Sequence, residues 1–341
     1  MHVLIVGSDK VFAIENFYVK YFRKLGVEVT HFSVNTLFYD YYDRSLFNKI
    51  LYRLGISGIY SLINTKFKEI VSNQKPDVIW IFKGMEIFPE TLLWAKAENC
   101  KLVNYNPDNP FLFSGRGSGN KNISKSMALY DLHFIYNLEI KKELEESCEA
   151  TTALLPFGFE VSEELFEMCA AQEEVMEVCF LGNPDNERAA FIDSLAGMGV
   201  PVAVYGHGWK KMITNSSVKL YDAVYGEEQW KTLRRYRVQL NLMRKHNLDS
   251  HNMRTFEVAG VGGIMVAPDT TEHRLFFENR KEAFYFKNVS DCAKIIKNLL
   301  ELPKEEAEKI RMAARERSVQ SGYSYKDRTL FVKEVLESLI K

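Results

Sequence analysis

The sequence predicts an α/β protein built from two successive doubly wound units, each around a mostly parallel sheet. Three observations carry that reading. The chain has 341 residues, and at roughly 100 to 200 residues per domain it divides into two, each able to bury its own core. Short apolar runs alternate with helical patterns through the first half, as βαβ crossovers require. After Leu155-Pro156-Phe157-Gly158 the alternation begins again.

The elements follow in order. His2–Val6 is an apolar run ending at Gly7, Phe12–Leu25 has helical spacing, and Val27–Val34 is a second strand. Phe47–Asn73 reads as helices broken near Gly55 and Gly58. Asp77–Lys83 is almost continuously apolar, which suits a parallel strand buried on both faces. Glu90–Asn99 is helical, Leu102–Tyr105 and Leu132–Tyr136 are strands, and Leu138–Ser147 is a helix. In the second half an acidic helical segment, Ser162–Glu177, precedes the strand Val178–Leu181, which ends at Gly182. Then come the helix Glu187–Met198, the strand Val202–Tyr205 ending at Gly206, and the helix Tyr225–Tyr236. Gln239–Met243 and Ile264–Ala267 are strands around the helix Met253–Val261. Helices at Lys304–Gln320 and Tyr325–Ile340 close the chain.

Composition and missing motifs exclude several chemistries. With 44 basic and 45 acidic residues the formal net charge is −1, without the basic excess of a phosphate-driven nucleic-acid binder. Five cysteines without a CxxC pair fit reduced thiols better than a disulfide frame or a zinc site. Neither a signal-peptide pattern nor an apolar run of about 20 residues is present, so the expected location is the cytoplasm. Gly7 is not followed by Gly-x-Gly-x-x-Gly, and no carboxylate waits after the second strand for an NAD ribose. Walker A, Gly-x-Ser-x-Gly and Asp-x-Asp are all absent. His246 and His251, five apart, do not stack on one helix face. The expectation is no metal and no bound cofactor.

The informative stretch runs from Asn247 to Pro268. Asp249, Ser250 and Asn252 are N-cap candidates for a helix beginning near Met253. Arg254 then lies in the first turn, where free N–H groups and the helix dipole favour an anion. Glu257, three residues on, shares nearly the same face and is placed to accept from a sugar's vicinal hydroxyls. Gly260, Gly262 and Gly263 let the helix end approach the next strand. The same spacing equally describes an ion pair on a solvated helix, worth ~0.2–0.5 kcal/mol.

At these residues the sequence resembles a known family. Phe256-Glu257-Val-Ala-Gly-Val-Gly-Gly263 resembles the "F/L-E-A-x-A-C-G-G" segment of group 1 glycosyltransferases, most closely their spore-maturation-protein-like (CgeB-like) branch. Phe180-Leu-Gly182 followed by Arg188 is similar to the strand opening that family's nucleotide-binding domain, and Tyr205-Gly-His-Gly-Trp209 to its "YGxGW". Asn241 with Asn252-Met-Arg254 fits "N…N-x-R-x-F-E", and Ser324-Tyr325-Lys-Asp-Arg328 fits "T-Y-x-x-R". Together these cover about residues 178–330. The first 150 residues match loosely, through Asn106-Pro-Asp108-Asn109-Pro110, similar to the branch's "D-x-P" turn.

The resemblance implies a GT-B fold, two Rossmann-like domains facing a central cleft. Residues 1–157 would take the acceptor and 158–322 the nucleotide-sugar, while 323–341 would return to the first domain. Of the family's E-x7-E acids, the second maps to Glu257, on the donor ribose, and the first to Asp249, shorter by one methylene. Arg254, with Arg244 and Lys245 behind it, would meet the diphosphate, so charge on the leaving group needs no metal. Gly182, Arg188, Gly206 and His207 would line the donor site, His207 being equally an ordinary turn residue. On the acceptor side stand Gly7, Asp108 as the base an inverting enzyme needs, and Arg116 in the loop 115–120. A retaining enzyme needs no base, and Asn-Pro-Asp-Asn-Pro is also ordinary turn chemistry.

The implied activity is transfer of a sugar from a nucleotide-sugar to a glycan, lipid-linked or protein acceptor, in glycan or cell-envelope biosynthesis. A sugar-nucleotide epimerase of the same build, and a non-catalytic glycan- or partner-binding module, stand as alternatives; Asp249 in place of Glu keeps the second open. Peripheral contact with the inner membrane face also stays open, through Phe38–Tyr42 or the basic residues of Lys304–Arg317. Helix packing and a solvated helix surface explain those two features as well.

Overall fold

The computed structural model describes residues 1–11, 13–113, 117–244, 247 and 249–341. They form two compact units, Met1–Pro156 with Lys326–Lys341, and Phe157–Tyr325.

In the first unit the strands are β1 (His2–Gly7), β2 (Glu28–Ser33), β3 (Val78–Phe82), β4 (Lys101–Tyr105), β5 (Leu132–Ile135) and β6 (Thr152–Leu154). They pair in parallel in the order β2-β1-β3-β4-β5-β6. Every residue of β3 is buried, as a strand covered on both faces should be. Crossovers are made by α1 (Ile14–Lys24), α2 (Val34–Tyr42), α3 (Leu46–Arg53), α4 (Ile59–Gln74), α5 (Pro89–Ala97), α6 (Lys121–Ser126) and α7 (Leu138–Cys148). Ser33, Ser45, Asn120 and Asn137 start four of these by accepting first-turn N–H groups, which satisfies donors the helix itself leaves unpaired. Within the Phe38–Tyr42 cluster, Phe38 packs on the neighbouring helices: it meets Tyr52 of α3 edge-on at 4.9 Å and Tyr60 of α4 at 6.4 Å.

The second unit contains β7 (Val175–Leu181), β8 (Val202–Tyr205), β9 (Lys219–Tyr221), β10 (Tyr236–Leu240), β11 (Met265–Pro268) and β12 (Phe284–Phe286). The order is β12-β11-β10-β7-β8-β9, again parallel. Its helices are α8 (Glu163–Ala170), α9 (Asn186–Gly197), α10 (Glu227–Arg235), α11 (Met253–Gly260), α12 (Thr271–Phe276), α13 (Val289–Glu301) and α14 (Lys304–Gln320). The last helix, α15 (Tyr325–Leu339), lies almost wholly in the segment that belongs to the first unit.

The structure corrects some boundaries. The acidic segment 162–177 is not one helix, because α8 stops at Ala170 and β7 already begins at Val175. Between them Glu174 turns inward to Arg237 and Arg311, at 2.7 and 2.5 Å. Tyr236 opens β10 rather than closing α10, and β10 ends at Leu240 instead of Met243. Arg237, buried in that strand, gives its remaining donors to the carbonyls of Leu299 and Leu302. Nor is α14 a simple solvated face: Arg311 and Arg315 are buried, the latter donating to the Gly260 carbonyl and to Glu163.

Candidate functional site

In the second sheet, β7 and β10 are neighbours although β8 and β9 lie between them in sequence. The chain winds from β7 through β8 to β9 on one side, and from β10 through β11 to β12 on the other. That is a topological switch point, and open α/β sheets bind ligands beyond the carboxyl ends of the strands there. Three basic side chains come from those ends.

The first is Arg188. Asp185 caps α9 by accepting from the Arg188 N–H at 2.9 Å. The guanidinium then turns back to donate to the Asn183 carbonyl (3.1 Å) and to the Leu242 carbonyl beyond β10 (2.7 Å). It lies over the Phe180 ring at 5.5 Å. Burial is the main cause that lowers its pKa to about 10; Asp185 opposes the shift and the charge of Arg244 adds to it. Arg188 thus remains a cation at neutral pH, with a second cation beside it.

Arg254 is the third member, in the first turn of α11. Its Nη2 is 3.4 Å from the Leu181 carbonyl at the end of β7, and its Nη1 is 2.5 Å from Glu257 Oε2. The other Glu257 oxygen accepts from Gln229 Nε2 at 3.3 Å. With side-chain exposures of 20% and 8%, this ion pair is not a solvated one.

What fixes α11 is a polar chain. Asn252 and Thr255 form a capping box, satisfying two end groups reciprocally. Asn252 Nδ2 donates to Asn241 Oδ1 (2.8 Å), and Asn241 Nδ2 donates to Thr255 Oγ1 (3.1 Å). That hydroxyl is 3.0 Å from His273 Nε2, while His273 Nδ1 lies 2.9 Å from the Pro268 carbonyl. A carbonyl only accepts, so Nδ1 carries the proton and Nε2 accepts from Thr255. Burial lowers the His273 pKa to about 4, which keeps that neutral tautomer.

The other residues singled out by sequence fall in several places. Gly182 accepts from Trp209 Nε1 at 2.9 Å, and Gly206, at φ +152°, lies so close that a Cβ there would collide with the Gly182 carbonyl. His207 is exposed in the turn between Gly206 and Gly208. Arg244 is half-buried, and Lys245 lies outside the described residues. Asp249 has left-handed backbone (φ 57°) and accepts from the Thr271 N–H at 2.6 Å, anchoring the start of α12. Among the described residues no hydrogen bond or ion pair joins it to Arg254 or Glu257.

In the first unit, Gly7 ends β1 against Glu15: a Cβ would press on that carboxylate, which accepts from the Ser8 N–H at 2.8 Å. Asp108 is paired with Lys83 Nζ at 2.6 Å. Lys83 has left-handed backbone (φ 63°) just after β3 and also donates to the Gly117 carbonyl. Arg116 lies outside the described residues. Sequence reading missed Lys83, whose partners Asp108 and Gly117 are distant in sequence, and His273 and Gln229, which carry no motif. Among the described residues no group of three or more His, Cys, Asp and Glu side chains could hold a metal ion, and no helix is long and apolar enough to cross a membrane.

Residues 188–335 match a family described as glycosyl transferase-like. No curated protein matches the chain significantly in sequence. Among solved structures it is similar to Anabaena HepE in complex with UDP-glucose, with 13% identity, 99% of this chain and 100% of that one covered, and a TM-score of 0.68. It is also similar to a glycosyltransferase from Rickettsia africae (13% identity, 100% and 98% covered, TM-score 0.67). A sucrose-phosphate synthase from Thermosynechococcus elongatus aligns over 99% of both chains, with 11% identity and a TM-score of 0.67. The fold is therefore the GT-B fold of these glycosyltransferases, two Rossmann-like α/β units, and the segment carrying Arg188, Arg254 and Glu257 is the one that matches a glycosyltransferase-like family.

Proposed function

We propose that the protein is a glycosyltransferase that binds a nucleotide-sugar donor at the carboxyl ends of β7 and β10 and passes its sugar to a glycan, lipid-linked or protein acceptor. The observation that carries this is the pair of guanidiniums, Arg188 and Arg254, held at the switch point by the Leu242 and Leu181 carbonyls. Both are aimed by main-chain contacts, and Arg254 opens a helix whose dipole also favours an anion. A diphosphate would be held there by charge, and its growing negative charge as the sugar leaves would be taken by fixed cations rather than by an Asp-x-Asp metal. Glu257, fixed by Arg254 and Gln229, would accept from the ribose hydroxyls. Uridine is the favoured base, since a similar structure holds UDP-glucose and another is a UDP-forming trehalose-phosphate synthase from Burkholderia xenovorans. The first unit would serve the acceptor, with Asp108 as its base and Lys83 orienting that carboxylate. The group 1 CgeB-like branch is the family assignment we favour, on the motifs from Phe180 to Arg328.

A similar structure, at a TM-score of 0.59, is a putative UDP-N-acetylglucosamine 2-epimerase from Listeria monocytogenes, which keeps the epimerase as a second reading. Thermal unfolding with UDP, GDP, dTDP, CDP or NAD tests the site. Saturation at about 100 times the dissociation constant adds about 2.7 kcal/mol to the native state. UDP should raise the Tm of the wild type and not that of Glu257→Ala; no shift with any of them would remove the reading. UDP release from a UDP-sugar that depends on added acceptor separates transfer from epimerisation.

A further inference from the structure

An ordinary surface helix turns its apolar stripe inward, but α3 does the reverse. Leu46, Phe47, Ile50 and Leu54 are 73, 66, 45 and 67% exposed. At spacings i, i+1, i+4 and i+8 they form one stripe along the helix and its C-cap, and α3 has no buried residue at all. Single exposed apolar side chains are normal; a contiguous stripe marks an interaction surface. The opposite face is fixed: Asn48 Nδ2 donates to the Tyr41 carbonyl at 2.7 Å, and Tyr52 packs edge-on against Phe38 and Tyr42 and meets the Tyr60 hydroxyl at 3.1 Å. The stripe is therefore presented on an anchored helix.

The charges around it choose the partner. Residues 43–58 contain three basic residues and one acidic residue. The acid, Asp43, is paired with Lys49 at 2.8 Å. That leaves Arg44 and Arg53, both exposed, at the two ends of the stripe. An apolar stripe with an aromatic residue, bracketed by arginines, complements a bilayer interface: acyl chains take the stripe and anionic headgroups take the guanidiniums.

We infer that α3 docks the protein on an anionic lipid surface. This does not rest on the donor reading, since α3 belongs to the first unit and contributes nothing to the Arg188–Arg254 site. It would bring a soluble donor site to lipid-anchored acceptors.

The test is co-flotation of the full chain with phosphatidylcholine vesicles, with and without phosphatidylglycerol. The wild type should float with the anionic vesicles, less so at high salt. Phe47→Ser/Ile50→Ser should lower the partition coefficient roughly tenfold or more. Arg44→Gln/Arg53→Gln should reduce binding to the level seen with phosphatidylcholine alone. Both variants should keep the wild-type Tm and UDP response, because the substituted side chains are exposed. Failure of the wild type to float with anionic vesicles, or equal flotation of Phe47→Ser/Ile50→Ser, overturns the inference. So does a wild-type dimer that Phe47→Ser/Ile50→Ser dissociates, which would assign the stripe to a second copy of the chain.

Discussion

Arg254 and Glu257 meet at 2.5 Å across one turn of α11, and the glutamate is more than nine-tenths buried. On a solvated helix such a pair contributes ~0.2–0.5 kcal/mol. Here the guanidinium also reaches Leu181 on the adjacent strand and the carboxylate is held by Gln229. The pair thus ties the start of α11 to the end of β7 and to α10. A double-mutant cycle with Arg254→Ala and Glu257→Ala should give a coupling of about 1–2 kcal/mol in urea unfolding. A coupling near the solvated value would return the pair to an ordinary helix surface.

His273 makes stability depend on pH. Its folded pKa is lowered to about 4 from an ordinary 6.5, chiefly by burial. Between those values the unfolded chain binds the proton and the native chain does not, so stability falls as pH drops from about 6.5 towards 4. At 1.36 kcal/mol per pKa unit, the loss is about 3 kcal/mol. Urea unfolding across that range should show the slope in the wild type and a flatter profile in His273→Gln.

Glu174 sits between two buried guanidiniums, Arg237 and Arg311, which are 3 and 2% exposed. Burial alone would raise its pKa, but the hydrogen bonds and charges of Arg237 and Arg311 outweigh it and hold the carboxyl below its ordinary range. Glu174→Ala removes the carboxylate that faces Arg237 and leaves Arg311 to Glu308, at 3.5 Å, and should cost about 3–5 kcal/mol, read by chemical denaturation.

Gly206→Ala tests the close approach of the loops after β7 and β8. The substitution combines a collision with the Gly182 carbonyl and a φ that L-residues rarely adopt. A loss of about 1–3 kcal/mol is expected from such strain. Because the displaced loop carries Gly182, the UDP-induced rise in Tm should shrink as well.

The parts of the fold that were legible in sequence are those whose burial is written in apolar runs. Val78–Phe82 and Val202–Tyr205 lie entirely in the core and read as strands at once. Strand β10 was read only in part, from Gln239, since Arg237 is polar by identity and becomes a core residue only by meeting Glu174, 63 residues away. Strands β6, β9 and β12 have three residues each, too short for a period to show. The site divides in the same way. Arg254 and Glu257 are neighbours on one helix, so their meeting follows from spacing. Arg188 reaches Leu242 across 54 residues, and Lys83 reaches Asp108 across 25; contacts of that kind are set by topology, which local patterns do not encode.

The most direct test of the central claim is a calorimetric titration of wild type, Arg254→Ala and Glu257→Ala with UDP and with uridine. If Arg254 meets the diphosphate, Arg254→Ala should weaken UDP about 10- to 100-fold, the value of one charge-assisted hydrogen-bonding group, and leave uridine almost unchanged. Glu257→Ala should weaken both ligands, because both carry the ribose. UDP binding that is absent from the wild type, or indifferent to Arg254, would contradict a diphosphate site at the β7–β10 switch point.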